Sequence, residues 1–255
     1  MPDPEEISAI TALLKPLRSP CVVELGAHTG EDESWIRGAC SEACHYIMVE
    51  PDPRNCQAIL DHFRALKMSV ESVADWQLGQ FSQFRYSPLG SRRLIIGAIA
   101  DEVGMREFNF SFNVGKDART YDASKARTSG SLREPTGHLR HFSEIHFPYK
   151  GMVQCYTLDW IFEHEWLTKI DLLWVDIQGA EDMMIRGGQK ALKHSRYLFM
   201  EVEKEELYAG EKLGHELIAM LPGWQVVQEF RYNVLMKNNH FQELLHGMIE
   251  NYIPE

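Results

Sequence analysis

No apolar run in the 255 residues is long enough to span a bilayer. The first six residues, Met1 to Glu6, lack the basic-then-apolar pattern of a secretory leader. These absences point away from a membrane and toward the cytoplasm. Basic residues are also scarce, with 26 Lys and Arg against 37 Asp and Glu and a net charge of −11. Phosphate contacts need Lys and Arg, so nucleic acid is not an expected partner. Cysteines number five, an odd count without a disulfide-like spacing, which fits a reducing compartment. Cys40-x-x-x-Cys44-His45 has zinc-like spacing, but no second Cys/His pair lies near it in sequence, so these thiols read as buried or incidental. Internal repeats and low-complexity tracts are missing, and residues 1–255 read as one domain.

What is present is an alternation of short apolar runs with helical patterns. Glu5–Leu17 reads as an amphipathic helix within an N-terminal segment 1–20. Buried strands are expected at Cys21–Leu25, Tyr46–Val49, Arg93–Ile99, Ile170–Ile177 and Tyr197–Val202. Helices are expected between them at Glu31–Cys40, Arg54–Leu66, Leu158–Leu167, Glu181–Leu192 and Leu213–Leu221. Strands alternating with helices define an α/β fold with a mostly parallel sheet covered on both faces. Glu107–Phe112 alternates with period two and reads as a hairpin or edge strand, with Val153–Leu158 also strand-like. Trp224–Phe230 and Tyr232–Lys237 read as a closing antiparallel pair, and Phe241–Tyr252 as a last amphipathic helix. Residues 114–151 have no clear period and are expected to be a lid or substrate loop.

The chemistry concentrates at strand ends. Val22-Val23-Glu24-Leu25 runs into Gly26-Ala27-His28-Thr29-Gly30, a buried strand entering a tight turn against which a ligand can lie. In open parallel sheets, ligands bind at the carboxyl ends of the strands. The spacing G-x-x-x-G lacks the middle glycine of G-x-G-x-x-G, which admits a dinucleotide pyrophosphate. Glu50, closing the second strand before Pro51, is placed to accept hydrogen bonds from ribose hydroxyls. A ribose without a pyrophosphate points to S-adenosylmethionine.

The segment Ile170-Asp171-Leu172-Leu173-Trp174-Val175-Asp176-Ile177-Gln178-Gly179-Ala180-Glu181 resembles the fourth-strand motif of FkbM-family methyltransferases, I-D-x-L-K-x-D-(V/I)-E-G-A-E. Further matches are Val49–Pro53, Ala98–Asp101 with Gly104, Ser129–Leu132, Thr157–Asp159 and Tyr197–Glu201. The ordered set runs from about Cys21 to Lys237. Trp174 departs from the family's Lys, and Gln178 from its Glu. The resemblance implies a class I methyltransferase fold, doubly wound, with a seven-stranded sheet and an antiparallel last strand. It also implies cofactor contacts at Glu24, Gly26, His28, Gly30, Glu50, Pro51, Asp176 and Gln178, with Ala98, Ile99 and Asp101 flanking the adenine. Ser129 and Ser131 would help close the site.

Methyl transfer from a sulfonium requires alignment of the acceptor and exclusion of water. A hydroxyl acceptor also needs a proton acceptor. Asp176, Glu181 and His146 are the favoured candidates, beside His28, His138 and His141. Asp176 with Glu201 could hold a divalent cation such as magnesium, although loop hydrogen bonds explain both acids equally well and no resident metal is expected. The basic stretch in 114–151, including Arg127 and Arg133, is expected to contact a small-molecule or carrier-bound acceptor, including an anionic one. The leading expectation is O-methylation of a sugar or secondary-metabolite hydroxyl. The alternatives are N-methylation of an amine, amide or peptide side chain, a non-catalytic cofactor-fold protein, and a nicotinamide dehydrogenase, which the missing glycine disfavours.

Overall fold

The computed structural model describes residues 2–40, 44–66, 71–73, 91–113 and 128–241. Helix α1 (Pro4–Leu14) starts at Asp3, whose side chain accepts from the Glu5 and Glu6 amides while Glu6 reaches back to the Asp3 amide, a reciprocal capping box. It buries Ile10 and Leu14 against the sheet. Strand β1 (Cys21–Leu25) follows, then α2 (Glu33–Ala39), β2 (His45–Glu50) and α3 (Pro53–Ala65). Asp52 caps α3 and Pro53 opens it, the position at which a missing N–H costs nothing. A short β3 (Glu71–Val73) and β4 (Ser91–Ile96) complete this half of the sheet.

The chain then leaves the main sheet. The expected strand Arg93–Ile99 is two strands, β4 and β5 (Ala98–Ile99), lying in different sheets. Gly97 is the break. A Cβ there would lie 2.6 Å from the Tyr156 ring and 2.7 Å from the Gln154 carbonyl, so only glycine fits. The long β6 (Gly104–Asn113) and β7 (Ile145–Tyr156) pair antiparallel, and β7 pairs parallel with β5. Between them lies one helical turn, α4 (His138–His141). The expectation of a loop over 114–151 is therefore corrected for residues 138–141 and 145–151, while 114–127 fall outside the described residues. Ile145, Phe147 and Tyr149 alternate with His146, Pro148 and Lys150 along β7's first half, a period-two signal that the loop expectation passed over.

The second half returns to the main sheet through α5 (Leu158–His164), β8 (Ile170–Val175), α6 (Glu181–Gly187), α7 (Gln189–Lys193), β9 (Ser195–Glu201), α8 (Gly214–Ala219), β10 (Trp224–Glu229) and β11 (Asn233–Asn238). The expected single helix Glu181–Leu192 is broken at Gly187-Gly188. There the backbone packs so closely that a Cβ on Gly187 would lie 2.6 Å from the Ala100 carbonyl oxygen. The Asp159 carboxylate accepts from the Lys190 and Ala191 amides and so restarts the helix.

The main sheet has the order β10-β11-β9-β8-β1-β2-β4-β3. It comprises the seven expected strands and the short edge strand β3. The last strand, β11, runs antiparallel to its neighbours β9 and β10. Strands β1, β2 and β8 are buried on both faces. Alternation sorts their side chains into two cores, with Val23, Leu25, Ile47, Val49 and Leu173 on one face and Val22, Tyr46, Met48 and Leu172 on the other. Each such aliphatic side chain contributes about 2 kcal/mol by leaving water. This rigid double layer fixes where β1, β2 and β8 end. The proposed helix Phe241–Tyr252 lies outside the described residues beyond Phe241.

Candidate active site

The three central strands terminate together. Gly26 and Ala27 donate to the Val49 carbonyl at 2.9 and 3.1 Å, and Asp176 donates to the Leu25 carbonyl at 2.9 Å. Gly26 has φ +88°, and a Cβ there would fall on the carbonyl oxygen of Asp176. The β1 and β8 turns thus touch through a glycine. A cleft of about 560 Å³ opens above these ends, of the size that takes a drug-sized ligand.

Glu50 lies on the wall of this cleft. Its carboxylate accepts from the His28 and Asp52 amides, each at 2.9 Å, and from the Asn55 side-chain amide at 3.1 Å. Three of a carboxylate's roughly four acceptor positions are therefore used by the protein, leaving room for a ligand hydroxyl at Oε2. Burial raises its pKa to about 8 in spite of those donors. Burial likewise raises Glu181 to about 8. Both carboxyls ionise near pH 4.5 when unfolded, so their contribution is fully present below that pH and is lost as pH rises toward about 8. Melting temperature should therefore fall between pH 5 and 8, and Glu50→Gln should flatten part of that fall. A pH-independent melting profile would remove this reading.

His28, at φ 48°, lines the cleft and its Nε2 is buried without a protein partner. Gly26, Pro51, Ala98, Ile99, Asp176 and Gln178 also line the cleft. Gly30, at φ 72°, shapes the turn from behind, with its amide on the Ala27 carbonyl at 2.8 Å and Ile59 packed against it. Glu24 is buried off the cleft surface. It accepts from the Tyr46 hydroxyl, and burial holds its pKa well above the usual carboxylate range.

Asp176 is joined to Glu201 by the Gln178 side-chain amide, which donates to Asp176 at 2.7 Å and to Glu201 at 2.8 Å. The Gln178 carbonyl oxygen accepts from the Tyr208 hydroxyl at 2.8 Å. A Gln here, where the resembled motif has Glu, supplies two donors to a pair of acids. Burial and the Asp176 charge raise the Glu201 pKa well above the ordinary range. The amide nitrogen occupies the position between the two acids that a bridging cation would need. Among the described residues, no group of three or more His, Cys, Asp or Glu is placed to hold a metal ion.

Several expected roles are displaced. Glu181 turns back to accept from the Ile177 amide at 3.2 Å and caps its own loop, off the cleft. His146 is exposed on β7 opposite Phe112; its neighbour Ile145 lines the cleft, and successive side chains of a strand point to opposite faces. Asp101 is engaged by Arg106 at 2.7 Å and by Arg186 at 3.1 Å, which hold its pKa low; Ala98 and Ile99 face the cleft without it. Ser131 is fully buried and donates to the Gln178 backbone carbonyl at 2.6 Å, a strut between loops rather than a ligand contact. Ser129 does line the cleft.

Arg133 donates to Asp182 at 2.8 Å and to the Ala209 carbonyl at 3.0 Å, so its charge is spent inside the protein and not on an acceptor. Its replacement by Ala should lower stability by about 2 kcal/mol, with Arg186 still serving Asp182. A thermal melt tests this; an unchanged melt with an altered acceptor KM would restore the acceptor role. Arg127 lies outside the described residues.

The cleft also uses residues that sequence reasoning passed over. Asp32, its pKa raised by burial, accepts from the Trp35 indole at 2.8 Å; in sequence it reads only as a first-turn acid of α2. Trp174, in place of the motif's Lys, packs between Trp35 (5.2 Å between centroids) and Phe199 (4.6 Å) on one cleft wall. Those two rings give the indole an aromatic contact on either side.

A parallel sheet with an antiparallel last strand, a glycine turn after β1 and an acid closing β2 over a nucleoside-sized cleft define a class I, S-adenosylmethionine-dependent methyltransferase. The chain belongs to the FkbM methyltransferase family, since the family model described as "Methyltransferase FkbM domain" matches residues 24–234. It is 28% identical over 233 residues to the 2-O-methyltransferase NoeI of Sinorhizobium fredii (strain NBRC 101917 / NGR234), covering 90% of this chain and 83% of that protein. Among solved structures, it resembles the FkbM methyltransferase from Methylobacillus flagellatus KT with a TM-score of 0.48 and 13% identity over 86% of this chain. It spans only 44% of that longer chain. It also resembles the O-methyltransferase TomG from Streptomyces achromogenes, solved in complex with S-adenosylmethionine, with a TM-score of 0.46 and 10% identity, covering 92% of this chain and 79% of that one.

Proposed function

We propose that this methyltransferase transfers the methyl group to a hydroxyl of a neutral small molecule or carrier-bound acceptor, a sugar or secondary metabolite. The observation that carries the reading is the cleft itself. Its wall at Leu132, Phe142, Ile145 and Leu207 is apolar, while Asp176 and Glu201 lie at the β8 and β9 ends. The similarity to a 2-O-methyltransferase over most of both chains supports oxygen as the target. Charge supports a neutral acceptor over an anionic one, because the acids Asp3, Glu6 and Asp176 line the cleft and Arg231 is the one Lys or Arg among the described residues there.

When bound, S-adenosylmethionine supplies a sulfonium methyl group that is electrophilic without further activation. The orphaned His28 Nε2 and the open acceptor position of Glu50 fit its polar groups. Glu50 would hold the ribose, Ala98 and Ile99 would flank the adenine, and the Asp176–Gln178 turn would meet the methionine end. The residues of the apolar wall exclude water, and alignment in that dry space supplies a large part of the rate. Transfer in this proposal uses no resident metal, supported by the Gln178 amide between the two candidate acids. A cytoplasmic location is part of the proposal, supported by five unpaired cysteines. No helix among the described residues is long and apolar enough to cross a membrane.

The test is transfer of labelled methyl groups to methyl hexopyranosides, phenols, sugar phosphates and primary amines, each with and without a chelator. Turnover of neutral hydroxyl compounds with the chelator present is expected. Turnover of amines alone, or of sugar phosphates alone, would overturn the acceptor assignment. Loss of all turnover on chelation would overturn the metal-free reading.

A further inference from the structure

We propose that His138 is the base that takes the acceptor hydroxyl's proton during methyl transfer, an inference that rests on the O-methylation reading above. His138 is 2% exposed, lines the cleft, and has its Nδ1 buried with no hydrogen-bond partner. A buried, unpaired ring nitrogen costs free energy, and such groups are retained where a ligand completes them. The ring is held by aromatic neighbours. Phe142 lies 4.8 Å away between centroids, Phe147 meets it edge-on at 5.2 Å, and Tyr208 lies at 5.5 Å.

Its backbone is equally constrained. The Gly137 and His138 amides both donate to the Leu207 carbonyl, at 2.8 and 3.1 Å. A Cβ on Gly137 would fall on the Glu206 carbonyl oxygen, so the turn is fitted closely against the 206–209 loop. That loop carries Tyr208, whose hydroxyl bonds the Gln178 side chain. His138 is thereby tied through Tyr208 to the Gln178 side chain beside Asp176, and it shares the cleft lining with the apolar residues Leu132, Phe142, Ile145 and Leu207. This is the part of the cleft left for the acceptor.

The protonation state suits the task. Burial among the rings lowers the pKa to about 4, so the imidazole is neutral at physiological pH and has a lone pair to offer. Its titratable neighbours are Glu144 and His141 from the same stretch and Tyr208 across from it. The acceptor oxygen donates an electron pair to the methyl carbon. The carbon–sulfur pair leaves with sulfur as a neutral thioether, and the hydroxyl proton passes to the imidazole nitrogen. That proton departs from an oxygen becoming oxonium-like, so a weak base suffices. The imidazolium then returns its proton to water as the methylated product leaves.

The test uses the full chain with His138→Ala and His138→Phe, the second keeping a ring against Phe142, Phe147 and Tyr208. Calorimetric affinity for S-adenosylhomocysteine should stay within about twofold in both, which shows that the fold and cofactor site survive. With the methyl hexopyranoside or phenol that the wild type methylates, kcat should fall ~10²–10⁴-fold, the range for a positioned general base. In the wild type loaded with S-adenosylhomocysteine, adding that acceptor should shift the His138 ring ¹⁵N resonances. A kcat within threefold of wild type, or unshifted resonances on acceptor binding, overturns the assignment while leaving O-methylation standing. Wild-type turnover of amines alone would instead remove O-methylation itself, and the need for this base with it.

Discussion

Gly26→Ala should abolish S-adenosylhomocysteine binding and destabilise the protein by about 3 kcal/mol or more. Two effects combine. At φ +88° an L side chain is strained, which alone costs about 1–2 kcal/mol. The added Cβ also falls on the Asp176 carbonyl oxygen, which is backbone and cannot rotate away. Because the Asp176 amide is bonded to the Leu25 carbonyl at 2.9 Å, relief requires parting β1 from β8 at the very edge of the cleft. Calorimetric titration with a parallel thermal melt measures both effects. Retained affinity with an unchanged melt would show that the two turns do not touch as described. By contrast Gly38, with no atom near its would-be Cβ, should accept Ala with little loss and serves as the control.

Gln178→Glu should lower methyl transfer by ~10²–10³-fold, the loss typical of removing a preorganised donor. The wild-type amide gives one hydrogen to Asp176 and one to Glu201 and accepts from Tyr208. A carboxylate at 178 has no hydrogen to give, so three acids would face one another in a buried site. The new carboxyl must stay protonated, which raises its folded pKa. Its stability contribution would then be fully present below the unfolded carboxyl value near pH 4.5 and lost as pH rises through the folded one. Activity and melting temperature should therefore recover toward acid pH in the variant, with the residual optimum shifted acidic. A variant with wild-type rate and pH profile would mean that the amide bridge is not part of the working site.

Much of this arrangement was legible in the residues. Strand β1 at Cys21–Leu25, the glycine turn and the terminal Glu50 follow from continuous apolar runs ending in Gly or an acid, and such runs persist because both sheet faces must be buried. The closing antiparallel pair was equally legible from turn residues between two alternating runs. Other features were not. Nothing local in Arg93–Ile99 says that the chain changes sheets at Gly97, since the reason is the Tyr156 ring far along the sequence. Glu181 and Glu201 look alike as acids after central strands, yet one bonds its own loop and the other lines the cleft. Arg133 reads as an acceptor contact and Asp101 as a neighbour of the adenine, and they are instead held by Asp182, Arg106 and Arg186. Charge alone does not reveal a partner such as Asp182 for Arg133 or Arg186 for Asp101, dozens of residues away.

The amino-acid order by itself determined the sheet's buried strands, the family, and a cofactor with a ribose and no pyrophosphate. Those depend on local facts: burial periodicity, glycine spacing, and an acid at a strand end. Only the tertiary structure decided which polar groups face the cleft. It turned Glu181, His146 and Asp101 away, committed Arg133 and Ser131 to holding loops together, and brought Asp32, Trp174 and His138 into the walls. The physical reason is that a strand end sets a backbone position, whereas the direction a side chain takes from it is set by whichever distant group completes its hydrogen bonds or its packing.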